Sequence, residues 1–174
     1  MRYIVLYSSK TGNTQKIAQA VAGALPAATP CLPVGKAPVD LSGYDCVFVG
    51  FWVDRGSADM QARQLLERLD HPSVALFATL GADPRSQHAV DSLRNAASLR
   101  PCGQPLLNSF ICQGKVDPQL IEQMKKTFPA GHPHTVDEKR EALHQEASRH
   151  PDEADLAAAR SFATETVKRL VSMQ

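Results

Sequence analysis

Short apolar runs alternate along this chain with stretches in which apolar residues recur every third or fourth position. Tyr3-Ile4-Val5-Leu6-Tyr7 reads as a first strand. Behind it Ile17, Val21 and Leu25 recur with Ala18 and Ala22 alongside, which predicts a helix with one apolar face that Pro26 stops. Asp45 to Phe51 is nearly all apolar, as expected of a strand covered on both faces. A helix carrying Ala62, Leu65, Leu66 and Leu69 on one face follows. Ser73 to Thr79 is the next buried strand, then a helix over Ser86–Leu99 and a strand over Leu107–Cys112. The last helix starts behind Pro151 with Asp152 as its cap. It holds Leu156, Ala159, Ala163, Val167 and Leu170 on one stripe, with Phe162 beside it.

This alternation is the mark of βαβ units and a parallel sheet. Cys31-Leu32-Pro33-Val34 fits an edge strand, where a proline leaves no needed N–H unpaired. The stretch 114–150, between the last strand and the last helix, is longer than a connection needs. Gln119–Thr127 and Asp137–Arg149 read as helices separated by a His132-Pro133-His134 turn. We read a single domain over 1–174, with this stretch as a helical insertion.

Composition narrows the picture. At 174 residues the chain is long enough for one α/β domain with a sizeable core. No apolar run approaches the roughly 20 residues of a membrane span. The start enters a strand at once, with no small-residue cleavage site, so a cytoplasmic protein is expected. A formal charge of +1 favours neither nucleic acid nor an anionic membrane as partner. Cys31, Cys46, Cys102 and Cys112 form no C-x-x-C pair, which argues against zinc, thioredoxin-type and iron–sulfur sites. Cys46 and Cys112 fall in strands and read as small buried hydrophobes. Of the histidines, His132, His134, His144 and His150 read as scattered surface residues, so no metal site is expected. Glu138 to Glu146, interleaved with Lys139 and Arg140, reads as a solvated helix face.

The chemistry concentrates between the first strand and first helix, in Ser9-Lys10-Thr11-Gly12-Asn13-Thr14. In a doubly wound sheet, ligands bind beyond the carboxyl ends of the strands, near the switch in strand order. A helix starting there offers free N–H groups and a partial positive charge that suit an anion. Gly12 lets the backbone approach closely, and Ser9, Thr11 and Thr14 bring hydroxyl donors. Such a cradle holds a phosphate dianion with little help from a full charge, leaving Lys10 to point into solvent. The run is neither a Walker A loop nor a G-x-G-x-x-G fingerprint. The plain structural alternative is a polar, capped turn with no ligand.

The run Val5 to Ala18 resembles the flavodoxin family signature: two aliphatics, an aromatic, a hydroxyl, Gly-x-Thr, and an alanine one turn into the helix. That resemblance implies a doubly wound, five-stranded parallel sheet of order 2-1-3-4-5, with helices on both faces and a helical insertion after strand 5. It also implies flavin mononucleotide (FMN) as cofactor, with its phosphate in the Ser9–Thr14 loop. A second flavin loop would be Phe51-Trp52-Val53-Asp54-Arg55-Gly56, with Trp52 stacking on the isoalloxazine and Gly56 supplying a peptide that reorients at N5. The alternative there is that Trp52 caps the core. A third would be Thr79-Leu80-Gly81-Ala82-Asp83, touching the pyrimidine edge. The family often places a second aromatic in this loop. Here Leu80 or Ala82 would face the ring, leaving one flavin face less covered or open to a partner. His88 reads as an exposed helix residue.

Further segments, 51–59, 79–82, 112–118 and 150–155, resemble a subgroup of flavodoxin-like proteins in anaerobic and gut bacteria. Some of its members accompany the flavoenzyme that reduces bilirubin. Within that pattern, Gln113–Pro118 either shapes a partner surface or is simply the turn that starts the insertion. Acidic flavodoxins disfavour an anionic reduced flavin. This near-neutral chain, with Arg55 and Arg85 in or beside the flavin loops, is expected to have a less negative potential. Three functions fit. One is an FMN electron carrier or accessory protein serving a redox partner such as a flavin-dependent reductase. The second is an FMN-dependent NAD(P)H:acceptor oxidoreductase of the quinone type, and the third a flavin-free interaction module. No catalytic residue is singled out.

Overall fold

The apolar runs pair as predicted in a computed structural model that describes residues 1–101, 103–127 and 138–173, save the side chains of 124, 125 and 138–140. The strands are β1 (Tyr3–Tyr7), β2 (Cys31–Pro33), β3 (Cys46–Asp54), β4 (Ser57–Ala58), β5 (Val74–Leu80) and β6 (Asn108–Gln113). Helices α1 (Asn13–Gly23), α2 (Met60–Leu66) and α3 (Gln87–Ala97) connect them, and α4 (Pro118–Thr127), α5 (Glu138–Ala147) and α6 (Glu153–Ser172) follow β6. The parallel sheet has the order β2-β1-β3-β5-β6, the expected doubly wound arrangement. The expected His132-Pro133-His134 turn lies outside the described residues. Among the described residues, no helix is long and apolar enough to cross a membrane.

The strands are apolar on both faces because helices cover both. On one face Tyr3, Val5, Phe48, Phe77 and Cys112 meet Ile17 and Val21 of α1 and Ala159, Phe162 and Ala163 of α6. Phe162 is the hub, with ring centroids 6.0 Å from Phe48, 6.5 Å from Phe77 and 5.8 Å from Phe110. The other face buries Ile4, Leu6, Val47, Val49, Phe51 and Leu76 against Ala62, Leu65 and Leu66 of α2 and Ala96 of α3. Cys46 and Cys112 are buried, as expected of small hydrophobes, and burial pushes the Cys46 thiol up to about 12.

One expectation is corrected. Trp52, Val53 and Asp54 do not belong to a loop; they continue β3. Val53 pairs with Ala58 and Asp54 with Ser57 in the added antiparallel strand β4. The two-residue turn Arg55-Gly56 has φ of 49° and 75°, the pair of left-handed conformations that a type I′ hairpin requires. The sequence hid it because its first turn residue is arginine, which seldom adopts positive φ.

Candidate functional site

The carboxyl ends of β1, β3, β5 and β6 open onto one cavity of about 520 Å³, within the range of about 300–1,000 Å³ usual for small-molecule sites. The first loop contributes Lys10, Thr11, Asn13 and Thr14 to its lining, and β3 contributes Trp52 and Val53. From the end of β5 come Thr79, Leu80, Gly81 and Ala82. The fold therefore gathers residues from all three predicted loops, which are far apart in the chain.

Four predicted residues do not line the cavity. Ser9 and Gly12 shape the first loop from behind. Gly12 is the N-cap of α1 with φ 89°, a left-handed conformation that favours glycine, and it gives the helix no side-chain cap. Ser9 Oγ accepts from the amides of Gly12 (3.1 Å) and Gln15 (3.3 Å), which folds the loop over the helix start. Asp54 is exposed beside the hairpin turn. The Gly56 carbonyl accepts from Asn95 Nδ2 of α3 at 2.8 Å, which holds that peptide in place.

Below the loop, the Thr14 and Thr79 hydroxyls share a buried hydrogen bond of 2.9 Å that joins α1 to β5. Ser8 donates to Asp59 Oδ1 at 2.7 Å, and the same carboxylate caps α2 through the amides of Gln61 and Ala62. Lys10 does not simply enter solvent. Its Nζ lies 5.7 Å from the centroid of the Trp52 ring and 3.8 Å from Asp117 Oδ2. Arg85, by contrast, points away into solvent and pairs with Asp83 at 3.2 Å. That bond lowers the Asp83 carboxyl from its ordinary range.

Sequence reasoning missed one side of the cavity. Gly114, Lys115, Val116 and Asp117, which leave β6, line it together with Leu120 of α4 and Leu143 and His144 of α5. His88, read as an exposed helix residue, is exposed but sits at the cavity as well. The rule that ligands bind beyond the strands' carboxyl ends applies to β6 as much as to β1, and would have found Gly114–Asp117. Nothing local distinguishes Leu143 and His144, which are half-buried between exposed neighbours on α5.

His150, expected as a scattered surface histidine, is part of a compact polar cap. Its Nδ1 is 2.5 Å from Asp155 Oδ2 and its Nε2 3.4 Å from Glu146 Oε1. Asp152 and Asp155 form a reciprocal capping box at the start of α6. These groups satisfy one another, as a helix cap does.

A parallel sheet of this order, with an anion-suited helix start after β1 and an aromatic at the end of β3, is the flavodoxin-like arrangement. The chain belongs to the flavodoxin domain family, which matches residues 4–164. It is 33% identical over 166 residues to the flavodoxin-like domain-containing protein BilS of Clostridioides difficile (strain CD3), covering 94% of each chain. BilS of Clostridium symbiosum (strain WAL-14163) is 28% identical over 183 residues, covering 96% of each. A flavodoxin of Streptococcus pneumonia TIGR4 shares the fold with a TM-score of 0.58 at 14% identity, over 97% of this chain and 99% of that one.

Proposed function

We propose that this protein binds FMN in the cavity and carries electrons to a partner redox protein. One observation carries the reading: a single cavity joins the start of α1 and Lys10 to Trp52. The donor set fits the phosphate end of the cofactor. Gly12 brings no side-chain cap to α1; Ser9 Oγ takes the Gln15 amide, and the amides of Asn13 and Thr14, both cavity-lining residues, are the first-turn donors suited to an anion. Thr11 and Lys10 stand beside those amides. Among the other lining residues, Trp52, Val53, Leu80, Ala82 and Val116 form an apolar group that suits a flat ring system. When bound, FMN supplies one- and two-electron exchange; these residues hold it, orient it and exclude water.

The partner we favour is a flavin-dependent reductase in the cytoplasm. Support comes from the resemblance of segments 51–59, 79–82, 112–118 and 150–155 to the subgroup that accompanies such an enzyme. The test begins with the visible spectrum of the purified protein before and after adding FMN, followed by NADH and NADPH oxidation assays. A flavin spectrum, with no NAD(P)H oxidation until a reductase is supplied, is the expected result. A colourless protein that takes up no FMN overturns the cofactor reading. Rapid NAD(P)H-dependent quinone reduction by the protein alone overturns the carrier reading.

A further inference from the structure

The segment leaving β6 is tied to two of the cavity's loops at once. The Gly114 amide donates to the Leu80 carbonyl at 2.9 Å, and the Lys115 carbonyl accepts from Asn13 Nδ2 at 2.8 Å. Asp117 pairs with Lys10 of the same first loop. At its far side the Lys115 amide donates to the His150 carbonyl at 3.0 Å, next to the α6 cap. Packing is as close as the bonding. A Cβ on Gly81 would stand 2.4 Å from Val116 Cγ2, and one on Gly114 would stand 3.0 Å from Asn13 Nδ2. Both positions therefore lack a side chain where the segment presses on a loop.

The Gly114–Leu80 bond ends the β5–β6 ladder, but a turn that merely opened α4 would need neither the Asn13 bond nor the packing of Val116 on Gly81. We propose that Gly114–Asp117 is a clamp that fixes the first and third loops relative to each other and so sets how tightly the cavity holds FMN. Asn13 and Val116 are its positioning residues. The proposal rests on the FMN reading and assigns a role to a segment outside the three loops. Each residue acts at a different place. Asn13 holds the clamp to the anion-suited loop, while Val116 packs on Gly81 and supplies apolar lining. The first matters for a ligand that carries a phosphate, and the second for any flavin.

The test is titration of the apoprotein with FMN and with riboflavin, followed by flavin fluorescence, in the wild type and in Val116→Ala, Val116→Ile and Asn13→Ala. Val116→Ala removes two methyl groups from the lining and is expected to weaken both ligands about tenfold, with Val116→Ile close to wild type. Asn13→Ala is expected to weaken FMN about tenfold while leaving riboflavin within about twofold. Loss of stability alone would not produce that split between two ligands, and urea denaturation of the apoproteins reports stability separately. Wild-type FMN affinity in both Val116→Ala and Asn13→Ala overturns the clamp and leaves the cofactor reading standing. Equal weakening of FMN and riboflavin by Asn13→Ala overturns the assignment of Asn13. A wild-type protein that binds no FMN overturns both readings together.

Discussion

The hydroxyl pair Thr14–Thr79 shows how a single residue serves both fold and site. Both side chains are buried, and each is the other's partner at 2.9 Å. Thr14→Val keeps the shape but leaves the Thr79 hydroxyl buried without that bond, a loss of about 1–3 kcal/mol. Urea denaturation of the apoprotein should show it as a lower midpoint. Gly81 gives a second case at this scale. Its missing side chain makes room for Val116, so Gly81→Ala is expected to destabilise the protein by about 1–3 kcal/mol through overpacking. Adding Val116→Ala should recover most of that loss, and a double-mutant cycle measures the recovery. Residue types at the first loop were legible in the sequence because a Gly-x-Thr turn needs them locally. Their partners were not: Ser9 bonds its own loop, Thr14 bonds β5, and Lys10 reaches Trp52 and Asp117.

At the scale of elements, the end of α5 and the start of α6 meet at His150. The Asp155 carboxylate bonded to its ring holds the protonated imidazole and raises its pKa above the ordinary value, with Glu146 and Asp152 adding to the effect. A folded-state pKa above the unfolded value of about 6.5 means that protonation favours the fold. The stabilisation is fully present below the unfolded pKa and disappears as pH rises through the folded one. The urea midpoint should therefore fall over that interval, and His150→Gln should remove this part of the slope. The centre of the sheet is more rigidly specified. A Cβ on Gly50 would stand 2.1 Å from Phe77 Cε2, so Gly50→Ala should cost about 1–3 kcal/mol, or more if the ring cannot move. Strands and helices were legible because their periodicity is local. The hairpin of β3 and β4 was not, because its turn depends on a left-handed arginine that the pairing across it stabilises.

Over the whole molecule, the near-neutral charge of +1 still predicts a less negative flavin potential than in acidic flavodoxins. The structure changes which cations matter. Arg85 is exposed, paired with Asp83 and outside the cavity lining, whereas Lys115 and Lys10, the latter paired with Asp117, line the cavity. Potentiometry of the FMN-loaded protein should give a value above that of acidic flavodoxins. Lys10→Gln and Lys115→Gln should each move it more negative, while Arg85→Gln leaves it nearly unchanged. A potential as low as that of acidic flavodoxins would defeat this argument.

The parallel α/β class, the buried strands, the capped last helix and the Gly-x-Thr turn within Ser9–Thr14 were legible from the chain alone. Each of these is written in neighbouring residues: a run, a period, a cap or a turn. What faces that turn depends on the three-dimensional packing. Asn13 and Lys115 are 102 positions apart and bonded, and Leu143 and His144 reach the cavity from a helix with no local sign of contact. Such neighbours follow from strand order and from the path of the chain after β6. Sheet pairing sets both, through contacts between residues that the sequence keeps far apart.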